Sequence, residues 1–482
     1  MRFLEMCYII MNIFMLGWFL FAPKKSPRGL WTGVGLLILF LLAHGLIEGL
    51  RWPMIPAYLM TLFFVVWIAV HRRALSHWVR NALITTLAAF YAVITVASPL
   101  LFPVFAFEKP TGPYPIGTVS YHWTDDTREE TFTSAPGDKR ELMVQIWYPA
   151  SSTSKGSIAP YLLHSDVYAQ ALHNVLHLPK LLFTNLEFVK THSVEKAPLS
   201  DAEGKYPVLV FSHGLHGYKN QNTFQVEQLA SHGYIVVGID HTYNSVTSVL
   251  PDGHIANFES QGKEGFEQLQ FTHMDKLNQG WVKDASFVVD QIEKLSKHDP
   301  DQRFTGRMDL ERIGMFGHSF GGATTVQMLM NDPRIKVGIN MDGVLYGQQR
   351  IPIDGLNKPF LMMSAEDTLN GATTLSDAYI ASMGTDRTQV TNYYKEVDAR
   401  YYSVAAGGNY WLKLKQAKHL SFSDMYLISP LFEWMEGVDV RSTHRLINTY
   451  TLDFFNHYLK QQPFERIEQD IGDHPDFTLE KG

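Results

Sequence analysis

A single cysteine, Cys7, occurs in 482 residues, and it sits inside an apolar run. That excludes a disulfide framework and a cysteine-built zinc site. Charge is scarce where the chain begins: residues 1–107 hold 8 Lys/Arg and 2 Asp/Glu against 72 apolar side chains. Basic excess is missing from the remainder, where 33 Lys/Arg face 46 Asp/Glu. An acidic body of that size is a poor partner for a phosphate polyanion, so nucleic-acid binding is disfavoured. No repeat of 20–50 residues and no low-complexity tract is present, which removes solenoids and arrays. Two bodies of different physics share the chain, divided at 107/108.

The first body contains four apolar runs, at 6–22, 30–50, 54–70 and 82–105. Each is near the roughly 17–25 helical residues that a hydrocarbon core of about 30 Å requires. Pro99 and Pro103 predict that the last one ends or kinks near Ser98. A cleavable signal peptide is a poor reading of the first run. Its basic residues Lys24, Lys25 and Arg28 follow the apolar stretch, and no small-x-small site comes after it. Loop charge then sets direction. Lys24, Lys25 and Arg28 lie between runs one and two, and Arg72, Arg73 and Arg80 between three and four. The other side has Arg2, Arg51 and Lys109. The positive-inside tendency puts the two basic loops in the cytoplasm. The expectation is a multi-pass cell-membrane protein with residues 108–482 outside.

The second body opens with a Pro-rich linker, Lys109-Pro-Thr-Gly-Pro-Tyr-Pro. Extended segments follow at 116–123 and 141–147, then a Ser/Gly-rich loop at 150–157. A stretch at 160–193 carries apolar residues at helical spacing. From Pro207 short apolar runs alternate with helical ones. Strands are expected at 208–211, 235–239, 313–316, 337–340, 360–363 and 410–414, and helices at 222–231, 281–297, 322–330 and 443–461. Such alternation predicts an α/β fold, a mainly parallel sheet with helices on both faces.

Gly317-His318-Ser319-Phe320-Gly321 supplies the first chemistry. It fits G-x-S-x-G, a strand-to-helix turn so tight that small neighbours are required and the serine hydroxyl is lifted above the sheet. Upstream, Val208-Leu-Val-Phe-Ser-His-Gly-Leu reads as a strand running into a His-Gly turn. In such folds that turn and the residue after the nucleophile each give a backbone N–H to an oxyanion hole, here Leu215 and Phe320. His213 and His216 resemble a metal pair but sit on a turn, and no third ligand stands out. Neither metal nor cofactor is expected. A nucleophilic serine needs a base and an orienting carboxylate. Asp342 ends the strand after Ser319, and Glu366 and Asp367 end the following one. His419 comes late in the chain, giving the order Ser, acid, His of an α/β-hydrolase.

At these residues the chain resembles the plasma-type platelet-activating factor acetylhydrolases. Phe211-Ser-His-Gly-Leu, Gly317-His-Ser-Phe-Gly-Gly, Asp342-Gly and Lys418-His-Leu-Ser-Phe-Ser-Asp carry the likeness. So do Pro113-Tyr-Pro-Ile-Gly and Leu142-Met-Val-Gln-Ile-Trp-Tyr-Pro, and it spans roughly 110–460. In that family the acid follows the strand immediately after the nucleophile. The resemblance therefore implies Asp342 over Glu366 or Asp367, and oxyanion donors at Leu215 and Phe320. It implies a serine-dependent carboxylic ester hydrolase acting on short-acyl or oxidised phospholipids or small esters. The membrane runs lie outside it, and the interval from Asp342 to His419 is long, which predicts a loop insertion. The apolar text at 160–193 and 425–434 either borders an acyl-binding mouth or packs on the core. Alternatives are a lipase, a polyester esterase or a serine peptidase on the same fold. From another class, the chain would be a membrane transporter or sensor whose hydrolase-like domain only binds. Oligomeric state is left open by the sequence.

Overall fold

The computed structural model describes every residue except 22–26, 71–77, 154–155 and 261–262. The chain divides into two compact units. One is Met1–Ala106 with Pro179–Val189 and Ile428–Phe432, and the other takes the remainder from Phe107 onward.

The first unit is built on four helices: Phe3–Phe21, Pro27–Ile47, Ile55–Val70 and Trp78–Leu101. Of the four expected crossings, two are long and apolar enough to span a membrane, Phe3–Phe21 and Arg28–Ile47. The other two are shorter apolar helices over the described residues, Trp52–Trp67 and Thr85–Leu101. Pro53 and Pro56 force a 3-10 turn at Trp52–Met54 that takes up the start of the third run. The fourth helix continues through Pro99, which gives up its own backbone N–H bond, and stops at Leu101, before Pro103. The loop charges Lys24, Lys25, Arg72 and Arg73 lie outside the described residues.

The second unit holds a mixed sheet. In chain order its strands are β1 (Ile116–Glu129), β2 (Lys139–Pro149), β3 (Ile158–Pro160), β4 (Lys190–Glu195), β5 (Tyr206–Ser212) and β6 (Ile235–Asp240). A separate ribbon, β7 (Thr247–Val249) and β8 (Ile255–Asn257), comes next. Then follow β9 (Met308–His318), β10 (Ile335–Met341), β11 (Phe360–Ala365), β12 (Tyr410–Leu414), β13 (Gly472–Asp473) and β14 (Phe477–Lys481). The sheet order is β13-β14-β12-β11-β10-β9-β5-β6-β2-β1-β4-β3. The six strands from β12 to β6 are parallel, and antiparallel pairs join them to β14 and β2. β5 and β6 are buried at every position, as continuous apolar runs covered on both faces must be. The antiparallel β2 instead begins with strict alternation of buried and half-buried residues.

Helices appear at Thr223–Ser231, Phe271–Lys297, Phe320–Asn331 and Val440–Lys460. Phe271–Lys297 buries Met274, Asn278, Trp281, Ala285, Val288 and Ile292 at steps of three and four, the stripe that seats a helix on a sheet. The stretch at 160–193 is not one helix. Helix ends at Leu176, Pro179 starts a 3-10 segment at Lys180–Phe188, and β4 follows. Its middle, Pro179–Val189, belongs to the first unit, as does Ile428–Phe432. The long interval from Asp342 to His419 holds β11, then helices that end in Arg387–Ala405, whose first turn is capped by Asp386, and then β12.

Candidate active site

Chain order makes β6 lie on one side of β5 and β9 on the other. The crevice beyond the carboxyl ends of β5 and β9 is therefore the switch point where open parallel sheets bind ligands. Ser212 ends β5 and pairs in register with Gly317. The turns after these two strands consequently face each other.

Ser319 joins β9 to the helix Phe320–Asn331 with φ 54° and ψ −121°, a strained conformation for a residue with a side chain. Its N–H donates to the Met341 carbonyl (2.8 Å), and its carbonyl accepts from Gly322 (2.9 Å). The flanking glycines are sterically required. A Cβ on Gly317 would overlap the backbone of Gly321, and one on Gly321 would overlap the Ser212 carbonyl.

Ser319 Oγ lies 3.0 Å from His419 Nε2, and His419 Nδ1 lies 2.7 Å from Asp342 Oδ2. The imidazole is 43% exposed, whereas the Asp342 carboxylate is sealed. Asp342 sits at φ 56° at the end of β10. Its Oδ1 accepts from the Ala365 N–H (2.7 Å), and its Oδ2 also accepts from Thr368 Oγ1 (2.7 Å). Asp367 is turned elsewhere and pairs with Lys418 Nζ at 2.8 Å. Glu366, beside it, opens the short helix Glu366–Leu369. Of the three carboxylates read from the sequence, the structure brings Asp342 to His419.

The His213-Gly214-Leu215 turn abuts the serine: a Cβ on Gly214 would stand 3.1 Å from that of Ser319. Phe320 supplies the first amide of its helix, which has no acceptor within the helix. His213 is not free to bind metal. Its Nδ1 donates to the Gly214 carbonyl (2.6 Å) and its Nε2 accepts from the His241 N–H (3.1 Å). Elsewhere, in the first unit, Glu5, His44 and Glu48 bring possible ligand atoms within 4.8 Å of one another. The Glu5 carboxylate there is already gripped by Arg2 and Arg51, so the cluster is an ion-pair network.

Sequence reasoning passed over two residues that hold this geometry. His318, inside the elbow, donates from Nε2 to the His419 carbonyl (3.0 Å) and accepts at Nδ1 from Gln221 Nε2 (3.0 Å). Burial, reinforced by the neighbouring His419, keeps the His318 imidazole well below its ordinary pKa, so it stays neutral and fills both roles. Gln221 also accepts from the Gly214 N–H (3.3 Å), tying the two turns together. His318 was visible as the variable position of the motif. No local signal marks Gln221.

A parallel sheet with a strained serine elbow, and a histidine and a carboxylate at strand ends, defines an α/β-hydrolase. A ferulic acid esterase from Streptomyces cinnamoneus has a similar structure, with a TM-score of 0.58 and 25% identity over 76% of this chain and 96% of that one. The family model for platelet-activating factor acetylhydrolase, isoform II, matches residues 102–474, and the chain belongs to that family. It is a carboxylic ester hydrolase, so the reading as a transporter or sensor that only binds is set aside. The platelet-activating factor acetylhydrolase of Cavia porcellus is 23% identical over 76% of this chain and 81% of its own length. A probable 1-alkyl-2-acetylglycerophosphocholine esterase of Arthroderma benhamiae is 27% identical over 58% of this chain and 69% of its own.

Proposed function

We propose that the chain hydrolyses short-acyl or oxidised phospholipids, or small esters, through an acyl-enzyme on Ser319. The observation that carries this is the unbroken hydrogen-bonded line Ser319–His419–Asp342. His419 Nε2 takes the hydroxyl proton as Oγ bonds to the ester carbonyl carbon. The N–H groups of Leu215 and Phe320 stabilise the oxyanion, and Asp342 holds the imidazole in the tautomer that leaves Nε2 free to accept. As the ester C–O bond breaks, His419 returns the proton to the leaving alcohol, and water then repeats the sequence on the acyl-enzyme. No metal or cofactor enters these steps.

A short acyl group is supported by what lies beside the oxyanion turn. Phe320, Trp281, Tyr346 and Met274 form a buried cluster against which Leu215 packs, so side chains fill the ground beside that turn. The names of the related proteins, which specify an acetyl ester, point the same way. We further propose that residues 1–107 form a four-helix membrane region and 108–482 the hydrolase, with the latter outside the cell. Two helices of spanning length support the membrane placement.

The test is labelling by a fluorophosphonate together with hydrolysis of nitrophenyl esters of increasing acyl length and of oxidised phosphatidylcholine. Labelling confined to Ser319, and lost in Ser319→Ala together with all turnover, is the expected result. Turnover surviving in Ser319→Ala would overturn the assignment. A rate rising with acyl length beyond about six carbons would replace the short-acyl reading by a lipase.

A further inference from the structure

Beneath the turn that follows β5 lies a second Ser–His–Asp constellation. Ser212 Oγ donates to His241 Nε2 (2.9 Å), and His241 Nδ1 donates to Asp284 Oδ2 (3.0 Å). All three residues are fully buried, so no ester can reach this serine. Its chemistry is that of a brace. Asp284 is held by Arg140, whose Nε and terminal nitrogen donate to its two oxygens at 3.0 and 2.6 Å. Burial alone would push the Asp284 carboxyl up, but Arg140 and the His241 hydrogen bond outweigh it and hold it below the usual range. A fixed charge there fixes the His241 tautomer. The backbone N–H of His241 donates to Nε2 of His213, the first residue of the turn (3.1 Å).

Trp281 stands one helical turn before Asp284 and links this brace to both turns of the site. Its ring stacks on His241 with centroids 3.8 Å apart and planes 14° apart. It meets His213 edge-on at 5.1 Å and Phe320 at 4.8 Å and 90°. Its Nε1 donates to Asn244 Oδ1 (2.8 Å), and the Asn244 carbonyl accepts from the His216 N–H (3.1 Å), on the far side of Leu215.

We infer that Trp281, seated on the His241–Asp284 pair, is a positioning residue that sets the spacing of the two oxyanion donors. This rests on the reading of Leu215 and Phe320 as those donors. One indole touches His213, beside the first donor's turn, and Phe320, which carries the second amide. Donors to an oxyanion act only when fixed about 2.7–3.1 Å from where its charge develops, so a frame that slackens costs rate without costing substrate binding.

The experiment uses the full-length protein in detergent, with Trp281→Phe and Asp284→Asn. Endpoint labelling with a fluorophosphonate counts intact sites, so a misfolded fraction does not enter the rates. Expected per labelled site is a fall in kcat of about 10- to 100-fold with KM within about threefold. The second-order labelling constant should fall by a similar factor, because phosphonylation passes through the same oxyanion hole. If Asp284→Asn does not fold, Trp281→Phe decides alone. A kcat per labelled site within twofold of wild type in Trp281→Phe would overturn the inference, as would a fall in kcat with labelling unchanged. If the wild type is not labelled at Ser319, the reading of the site has failed, and the frame falls with it.

Discussion

Thr368 and His419 donate to the same carboxylate oxygen, Oδ2 of Asp342, each at 2.7 Å. Thr368 belongs to the short helix Glu366–Leu369 that follows β11, so the segment beyond that strand completes the hydrogen-bonding of a sealed acid. Thr368→Val removes one donor while keeping the shape of the side chain. One hydrogen bond to a charged group is worth roughly 1.5–3 kcal/mol. Only part of that should appear in the rate, so kcat is expected to fall about 3- to 10-fold with KM little changed. Thr368→Ser should restore most of it. Equal losses in the Val and Ser variants would show that the hydroxyl does not matter.

Asp342 and Asp367 separate cleanly by substitution with asparagine. Asp342→Asn places an amide against His419 Nδ1 and favours the wrong tautomer, so kcat should drop on the order of 10³–10⁴-fold. Asp367→Asn loses one partly exposed ion pair with Lys418 and should cost less than about fivefold. The reverse ranking in steady-state kinetics would move the acid.

Acid should destabilise the fold partly through His444. Its ring is buried flat against Phe224, 3.6 Å between centroids, and burial pushes its pKa down to about 3. The unfolded chain binds a proton near pH 6.5 while the folded one does not, so stability is full above 6.5 and declines toward pH 3. The slope is up to about 1.4 kcal/mol per pH unit for one group. His444→Phe should start less stable at pH 7, having lost the bond to the Ser423 carbonyl, yet fall less steeply. Melting temperatures at pH 7 and 4.5 measure the difference, and parallel declines would refute a neutral buried His444.

Orientation can be read with one thiol, because Cys7 is the sole cysteine. In a Cys7→Ser background, Ile353→Cys adds a thiol at a position 89% exposed. A membrane-impermeant maleimide should label it in intact cells. Labelling only after lysis would place the hydrolase in the cytoplasm.

What the sequence revealed of this site follows from how local each signal is. Ser319 announces itself through glycines two positions either side, and Asp342 through its place at a strand's end. Leu215 lies in a strand-turn text that ordinary propensities expose. Thr368, Gln221 and Trp281 gave no such sign. They act through partners at separations of 26, 97 and 37 residues, and only the folded sheet brings those together. The 160–193 stretch was misread because its apolar spacing continues past Pro179, which breaks the helix. The outer strands β3, β4, β13 and β14 are not legible in the sequence because they are short or poorly patterned, so pairing decides them. Arg387–Ala405 buries Val390, Val397, Tyr401 and Val404, a sparse stripe amid charged and tyrosine-rich text.

The first unit takes its residues from three separate parts of the chain, at 1–106, 179–189 and 428–432. The polypeptide therefore passes between the units five times. A truncation that begins at Phe107 would carry Phe183 and Leu186, both buried in the intact chain, without the helices they are grouped with. A protein expressed from Phe107 onward would therefore keep two segments of the first unit, at 179–189 and 428–432, while lacking its four helices.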